Sequence, residues 1–372
     1  MISFPPNWSD LNIALAHDWL TGMRGGERVL EWLCRGFPRA PIFTLIHNPM
    51  RISAEINAHS VRTSALQHVP DIHRHYRWFL PVYPWAVATL PTPEANVLIS
   101  TSHCVAKSLR VRPGAKHLCY CFTPMRYAWL FHADYLGRNP FKRLLAAPVL
   151  AALRRWDRAN SAHVDRFVTL SRHVQDRIRR FYGRDADVVY PPVDVDFFTP
   201  GGAEEPDGFD LIVSALVPYK RVDLAVRAYT QLGRPLKIAG TGTDFGALKK
   251  IAGPNIEFLG WQDDEQLREL YRRCRLLVFP GEEDFGIVPL EAHACGRPVV
   301  AFARGGALET LVAGTTAIFF REQTEAALLA AVDTATVQHW SREVIRHQAE
   351  RFAPQQFIDG FAASLEKCLA KA

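Results

Sequence analysis

From Asn12 to the C-terminus, short β-rich runs alternate with amphipathic helical stretches, and the alternation is played through twice. NIALA leads to RVLEWLCRGF and PIFTL, and then come VLIS, HLCYCF, RFVTL, HVQDRIRRFY and DVVYP. Such an order predicts an α/β domain wound on both faces of a parallel sheet. Residues 191–208, PPVDVDFFTPGGAEEPDG, interrupt it with four prolines, glycines and acidic residues, and read as an interdomain linker. A second series follows: DLIVSAL, RVDLAVRAYTQL, PLKIAG, NIEFLG, DDEQLRELYRRC, RLLVFP, VPLEAHAC, RPVVAF and AIFF. At 372 residues the chain exceeds what one core usually holds, about 250–300 residues, so two Rossmann-like domains facing across a cleft are expected. Their predicted limits are 1–190 and 209–353, with 354–372 a C-terminal helix returning to the first domain. That helix should bury a stripe of Phe357, Phe361, Leu365 and Leu369.

Several classes are disfavoured. The N-terminus has no basic segment followed by an apolar one, and the longest apolar runs, 79–90 and 144–153, fall short of the roughly 18–20 residues that span a bilayer. Seven scattered cysteines suit reduced thiols, so a cytoplasmic protein is expected. Cys119 and Cys121 have no second Cys/His pair near them, and no metal is expected.

The net charge of +6 is concentrated. Residues 141–187 hold eleven Lys/Arg against five Asp, an excess equal to that of the whole chain. Within it, FKRLLAAPVLAALRRWDR sets Phe141, Leu144, Leu145, Val149 and Leu153 among Lys142, Arg143, Arg154 and Arg155. The pattern fits either a helix lying on an anionic membrane surface or a core-facing helix with a solvated basic side. Aromatics in HYRWFLPVYPW (75–85) offer a lipid or sugar contact, or core packing. No nucleic-acid-binding motif accompanies the charge, and nucleic acid is not an expected partner.

Ligands of open α/β sheets sit beyond the carboxyl ends of strands. Three stretches have that form. In HDWLTGMRGGERVLEWL a strand runs into Gly22, Gly25 and Gly26 before a helix, where glycines let backbone N–H groups approach a phosphate or simply serve a turn. In SALVPYKRVDLAVRA a strand ends before Lys220 and Arg221 at a helix start, and a lysine there can neutralise a diphosphate. In FPGEEDFGIVPLEAHACGRPVV a strand gives way to a loop with Glu283 and then a helix carrying Glu291. The loop glutamate can accept hydrogen bonds from sugar hydroxyls, the helical one from a ribose diol, and the helix N-terminal amides favour phosphate between them.

This last stretch, with AHACGRPVVAF and GGALET after it, resembles the E-x7-E region of retaining family-four glycosyltransferases. HDWLTGMRGGERVLE, ISTSHCVAKSLR, CYCFTPMRYAW and VVYPPVDVDFF further resemble its branch of bacterial mannosyltransferases that build O-antigens and exopolysaccharides. The resemblance implies a GT-B fold and transfer of a mannose-like hexose, GDP-linked, to a lipid-linked or polysaccharide acceptor, without a metal or other cofactor. It implies that Glu283 holds donor sugar hydroxyls, Glu291 the ribose, Lys220 the diphosphate, the amides of Phe285, Gly286, Ile287 and Val288 the sugar and distal phosphate, and Gly25 and Gly26 the phosphates from the other domain. Two positions depart from the family: Ala215 stands where an Arg is common, and Phe122 where a His is. Arg221 is a candidate to restore the missing charge. An apolar ring at 122 suits a sugar that lacks its 6-hydroxyl. A nucleotide-sugar epimerase of the same architecture, or a non-catalytic nucleotide-sugar binder, are the alternatives.

Overall fold

The computed structural model describes residues 2–130, 140–202 and 206–370, with side chains left out for 140–143. Lys142, Arg143 and Phe141 of the basic segment therefore lie outside the described side chains. The chain divides into two compact units, one of Met1–Tyr190 with Phe357–Ala372, the other of Pro191–Gln356.

In the first unit, strands β1 (Ile13–His17), β2 (Ile42–Thr44), β3 (Val61–Thr63), β4 (Val97–Ser102), β5 (Lys116–Cys121), β6 (Arg166–Thr169) and β7 (Ala186–Val188) form one parallel sheet in the order 3-2-1-4-5-6-7. The second unit has β8 (Asp210–Val213), β9 (Leu236–Ala239), β10 (Ile256–Gly260), β11 (Leu277–Phe279), β12 (Val299–Phe302) and β13 (Ala317–Phe320) in the order 10-9-8-11-12-13. Both are doubly wound sheets whose strand order reverses beside the first strand, which makes β1/β4 and β8/β11 the switch points, the kind of place where open α/β sheets in general take their ligands. Central strands such as β1, β4 and β12 are buried along their whole length, because helices cover both faces of a parallel sheet.

The helices used below are α1 (Gly25–Gly36), α2 (Pro140–Ser161), α3 (Arg172–Tyr182), α4 (Val222–Leu232), α5 (Asp264–Arg273), α6 (Ile287–Ala294), α7 (Arg342–Glu350) and α8 (Pro354–Leu369). Local sequence sets their ends. Ser171 caps α3 by accepting from the Val174 amide at 3.1 Å, and Gly183 closes it in the left-handed conformation. Asp263 and Gln266 form a reciprocal capping box on α5, so the acidic run there serves a helix start.

Three expectations change in detail. Leu369 is partly exposed, while Ile358, Ala362 and Cys368 share the burial of α8 with Phe357, Phe361 and Leu365. A four-residue spacing advances about 400° on a helix, so the stripe drifts round by roughly 40° at each step. Residues 191–198 of the segment read as a linker are packed within the second unit, with Val193, Val195 and Phe198 buried and Arg346 of α7 donating to the Val195 and Phe198 carbonyls. The aromatic run 75–85 divides: Tyr76 and Tyr83 pack around Trp19 in the core, and Trp78 and Trp85 stand exposed.

The carboxyl ends of β1 and β4 are joined by one side chain. Asp18, fully buried, accepts hydrogen bonds at 2.6–2.9 Å from the backbone N–H groups of His103, Cys104, Val105 and Ala106, and lies 3.1 Å from His103 Nδ1. Burial alone would raise its pKa, but His103, His17 and the amides outweigh it and hold the carboxyl well below its ordinary value. A depressed carboxyl pKa contributes stability that is complete above the unfolded value of 3.8 and is lost as pH falls through the folded one. Asp18→Asn is therefore expected to cost about 3–5 kcal/mol near neutral pH. The gap between wild type and variant, followed by urea unfolding, should narrow from about pH 4 downward; a gap that does not change with acid would contradict the account.

Candidate functional site

In the second unit the two loops of the switch point meet. From β8 the chain passes through a short 3-10 turn, Pro218–Lys220, and from β11 it enters Pro280–Gly286 before α6. Lys220 Nζ forms an ion pair with Glu283 Oε1, the two side chains only about one-fifth exposed. The backbones are also in contact. A methyl group placed on Gly281 would lie 2.8 Å from the Lys220 carbonyl oxygen, so only glycine lets the two turns approach this closely.

On the other flank the 281–286 loop rests on Gly305 and Gly306. The Gly306 N–H donates to the Glu283 carbonyl at 2.8 Å, and a methyl on Gly306 would lie 2.3 Å from Phe285 Cα. Phe285 is buried edge-on to Phe352 at 5.8 Å. Gly286 then takes φ +92°, a conformation glycine favours, and starts α6 with Ile287 and Val288 in its first turn. Glu291, in the next turn, is mostly buried and accepts a hydrogen bond from the Tyr271 hydroxyl at 2.9 Å.

Lys220, Glu283, Phe285 to Val288 and Glu291 thus lie on three consecutive pieces of one switch point. Arg221 does not extend this charge. Its backbone is left-handed, φ +54°, and its guanidinium donates to Asp223 at 3.2 Å and Gln323 at 2.8 Å. Gln323 in turn donates to the Pro280 carbonyl. The expected replacement cation is committed to a carboxylate at its own helix start, and acts as a brace between the two loops.

In the first unit, Gly25 opens α1 with free space over its Cα, whereas Gly26 is closed in. A methyl on Gly26 would stand 3.2 Å from the Phe122 ring and 3.5 Å from His17 Cε1. Phe122 itself is buried, edge-on to Tyr120 and His17. His17, at the end of β1, has Nδ1 2.7 Å from Thr101 Oγ1 and Nε2 3.9 Å from Glu27. Burial of Glu27 opposes its ionisation, yet the hydrogen bond and charge of His17, with Arg24, keep its pKa lowered. His17, Asp18, Glu27 and Tyr271 were not singled out in the sequence. For the first two the signal was a His-Asp pair ending the first strand.

The basic segment is split by α2. Leu144 and Leu145 are 71% and 62% exposed, and Val149, Arg155 and Arg158 also face solvent. Leu153 turns inward, and Asp157 is fully buried in an ion pair with Lys107, also accepting from Trp129 Nε1 and the Tyr182 hydroxyl. Arg154 donates to the Ala128 carbonyl at 2.7 Å, so it anchors the helix and does not belong to its outer face. No helix among the described residues is long and apolar enough to cross a membrane.

Residues 197–352 match the family model of glycosyl transferases, group 1. This match covers the packed Phe197–Phe198 segment and both loops of the second switch point. Among named relatives, D-inositol 3-phosphate glycosyltransferase of Mycobacteroides abscessus is 33% identical over 166 residues, 38% of either chain. The enzyme of the same name from Rhodococcus opacus is 29% identical over 238 residues, 55% of this chain and 53% of the relative. The chain thus spans between about two fifths and half the length of these relatives. Anabaena HepE, solved with UDP and glucose, has TM-score 0.72 at 16% identity over 96% of this chain and 99% of its own. Sucrose-phosphate synthase of Thermosynechococcus elongatus has TM-score 0.71 at 16% identity, over 96% and 100%. These structures share the fold, which is GT-B: two Rossmann-like domains, each with a parallel sheet.

Gly306→Ala is expected to lower stability by about 1–3 kcal/mol in urea unfolding, because the added methyl drives Phe285 out of place. Unchanged stability would mean that the loop yields freely.

Proposed function

We propose that this chain is a retaining glycosyltransferase that takes a hexose from a nucleotide sugar and delivers it to a glycan or lipid-linked acceptor. The observation that carries the reading is the pairing of Lys220 with Glu283 at a switch point, with Glu291 one turn into the helix behind them. A diphosphate competes with Glu283 for the Lys220 ammonium, and Glu283, so released, accepts from the sugar hydroxyls. Amides at the start of α6 face the phosphate charge, and Glu291 accepts from the ribose diol. The glycosyl–oxygen bond to the diphosphate breaks as the bond to the acceptor oxygen forms on the same face, and the leaving phosphate takes the acceptor proton. Lys220 and the helix amides stabilise the leaving group, so this reading assigns no metal. The relatives' names and the UDP-glucose bound to HepE support sugar-nucleotide chemistry.

GDP-linked, mannose-like sugars are the proposed donors, with UDP sugars as competitors. Phe122 refines the preference. Its ring closes the Gly26 side of the α1 turn and offers no hydrogen bond, so a sugar carrying a methyl group or a hydrogen in place of the hydroxymethyl on carbon 5 is favoured over one with a buried 6-hydroxyl, by about 1–3 kcal/mol. Competition between GDP-mannose and GDP-rhamnose, and between UDP-glucose and UDP-xylose, tests it. Wild type should choose the sugar without the 6-hydroxyl, and Phe122→His should move the choice towards the hydroxylated one. An unmoved preference would refute this role, and the absence of turnover with every donor would favour a non-catalytic binder.

The outer face of α2 is proposed to lie on an anionic membrane, with Leu144 and Leu145 entering the interface and Arg155 and Arg158 meeting headgroups. Replacing Leu144 and Leu145 by Asp should reduce co-sedimentation with phosphatidylglycerol vesicles by at least about tenfold, since two leucines are worth some 3 kcal/mol of burial, and should spare turnover of a soluble acceptor. Unaltered partition would return the face to plain solvent exposure. Arg154→Glu should instead lower thermal stability, because the Ala128 carbonyl loses its donor.

A further inference from the structure

The ribose reading of Glu291 leaves open what aims its carboxylate, and the second unit contains an answer in α5. This helix packs against α6 and brings Tyr271, fully buried, over the middle of it. The Tyr271 hydroxyl donates to Glu291 Oε2 at 2.9 Å. Burial, and then the charge of Glu291, push the phenol well above its ordinary pKa, so the proton stays on tyrosine and the direction of the bond is fixed.

Tyr271 has little freedom to follow a wandering carboxylate. The Phe198 ring stands edge-on to it at 5.8 Å, within the segment that precedes β8. Around it the end of α5 is pinned: Arg272 donates to the Thr199 carbonyl at 2.7 Å and its hydroxyl at 2.6 Å, and Arg297 donates to the Arg272 carbonyl. Arg346 ties the Phe198 carbonyl to that of Ala294 at the end of α6. Both partners of the Tyr271–Glu291 bond are therefore mounted on elements that are braced to one another.

We propose that Tyr271 is a positioning residue for ribose recognition: it holds one carboxylate oxygen of Glu291 from behind, so that the group meets the vicinal hydroxyls of a nucleoside diphosphate in a single orientation. The inference rests on the ribose reading of Glu291 given above. A glutamate has three rotatable side-chain bonds, and a fixed hydrogen bond removes freedom that the ligand would otherwise have to freeze.

The test is the discrimination between ribose and deoxyribose. GDP and 2′-deoxy-GDP, and UDP and 2′-deoxy-UDP, are titrated calorimetrically into wild type, Tyr271→Phe, Glu291→Gln and Phe198→Leu, with thermal unfolding followed in parallel. Wild type should favour the ribonucleotide of the pair that binds. Tyr271→Phe should weaken that ribonucleotide about tenfold, the worth of a hydrogen bond to a charged group, and leave its 2′-deoxy analogue within about twofold. Phe198→Leu removes ring packing but keeps the hydroxyl, and should retain the preference. If Tyr271→Phe weakens both nucleotides equally, or leaves the preference intact while Glu291→Gln abolishes it, Tyr271 has only a packing role and the proposal is overturned. If Glu291→Gln itself keeps the full preference, the ribose reading of Glu291 falls, and the proposal with it.

Discussion

A single carboxylate inside the first unit organises everything at the end of its sheet. Asp18 gathers four consecutive backbone N–H groups of the turn after β4, and the Cys104 N–H also reaches the Ser102 hydroxyl at 3.3 Å. An unpaired buried amide costs on the order of 1–3 kcal/mol, so the turn after β4 can leave the sheet only where this acceptor waits. The direction of β1 into Trp19, Thr21 and the α1 glycines follows, as does the place of His17 one residue earlier. In the second unit Gly281, Gly305 and Gly306 let the backbones of neighbouring loops touch, and the Gly306 N–H donates directly to the Glu283 carbonyl. Charge in one unit and the absence of side chains in the other do equivalent service.

The architecture was legible because the two periodicities, alternating runs and amphipathic helices, are properties of neighbouring residues. The pieces bearing Lys220, Glu283 and Glu291 were legible for a related reason, since each stands just beyond a strand and before or within a helix. Asp18 and Tyr271 were not. Asp18 acts on residues 85 to 88 positions away, and Tyr271 on one 20 positions away across a helix pair, and neither partner is marked by local pattern. The start of the segment 191–208 misled because prolines, glycines and acidic residues together outnumber the apolar ones, while Val193, Val195 and Phe198, which bury it, are few.

Charge counting misled in a similar way. The excess of cations between 141 and 187 looks like one patch in sequence, yet Arg166 pairs with Asp187, Arg184 donates to the Ser161 and Val164 carbonyls, and Arg154 holds Ala128. These guanidiniums end stretches of backbone and stitch elements together, so their charge is spent locally. What remains at the surface of α2 is smaller and is interleaved with exposed leucines, a composition that only the helical arrangement separates from the buried side.

The pairing of Lys220 with Glu283 has a kinetic consequence. A site that awaits a polyanion with a bare lysine would draw it in from a Debye length away, about 8–10 Å at ordinary ionic strength. Here the positive charge is matched in place by a carboxylate from the adjoining loop, and Arg221 is matched by Asp223. The loops themselves thus project little attractive field. In the function proposed above, capture of the donor therefore depends on collision and fit at short range, and its arrival at these loops should be only weakly sensitive to salt.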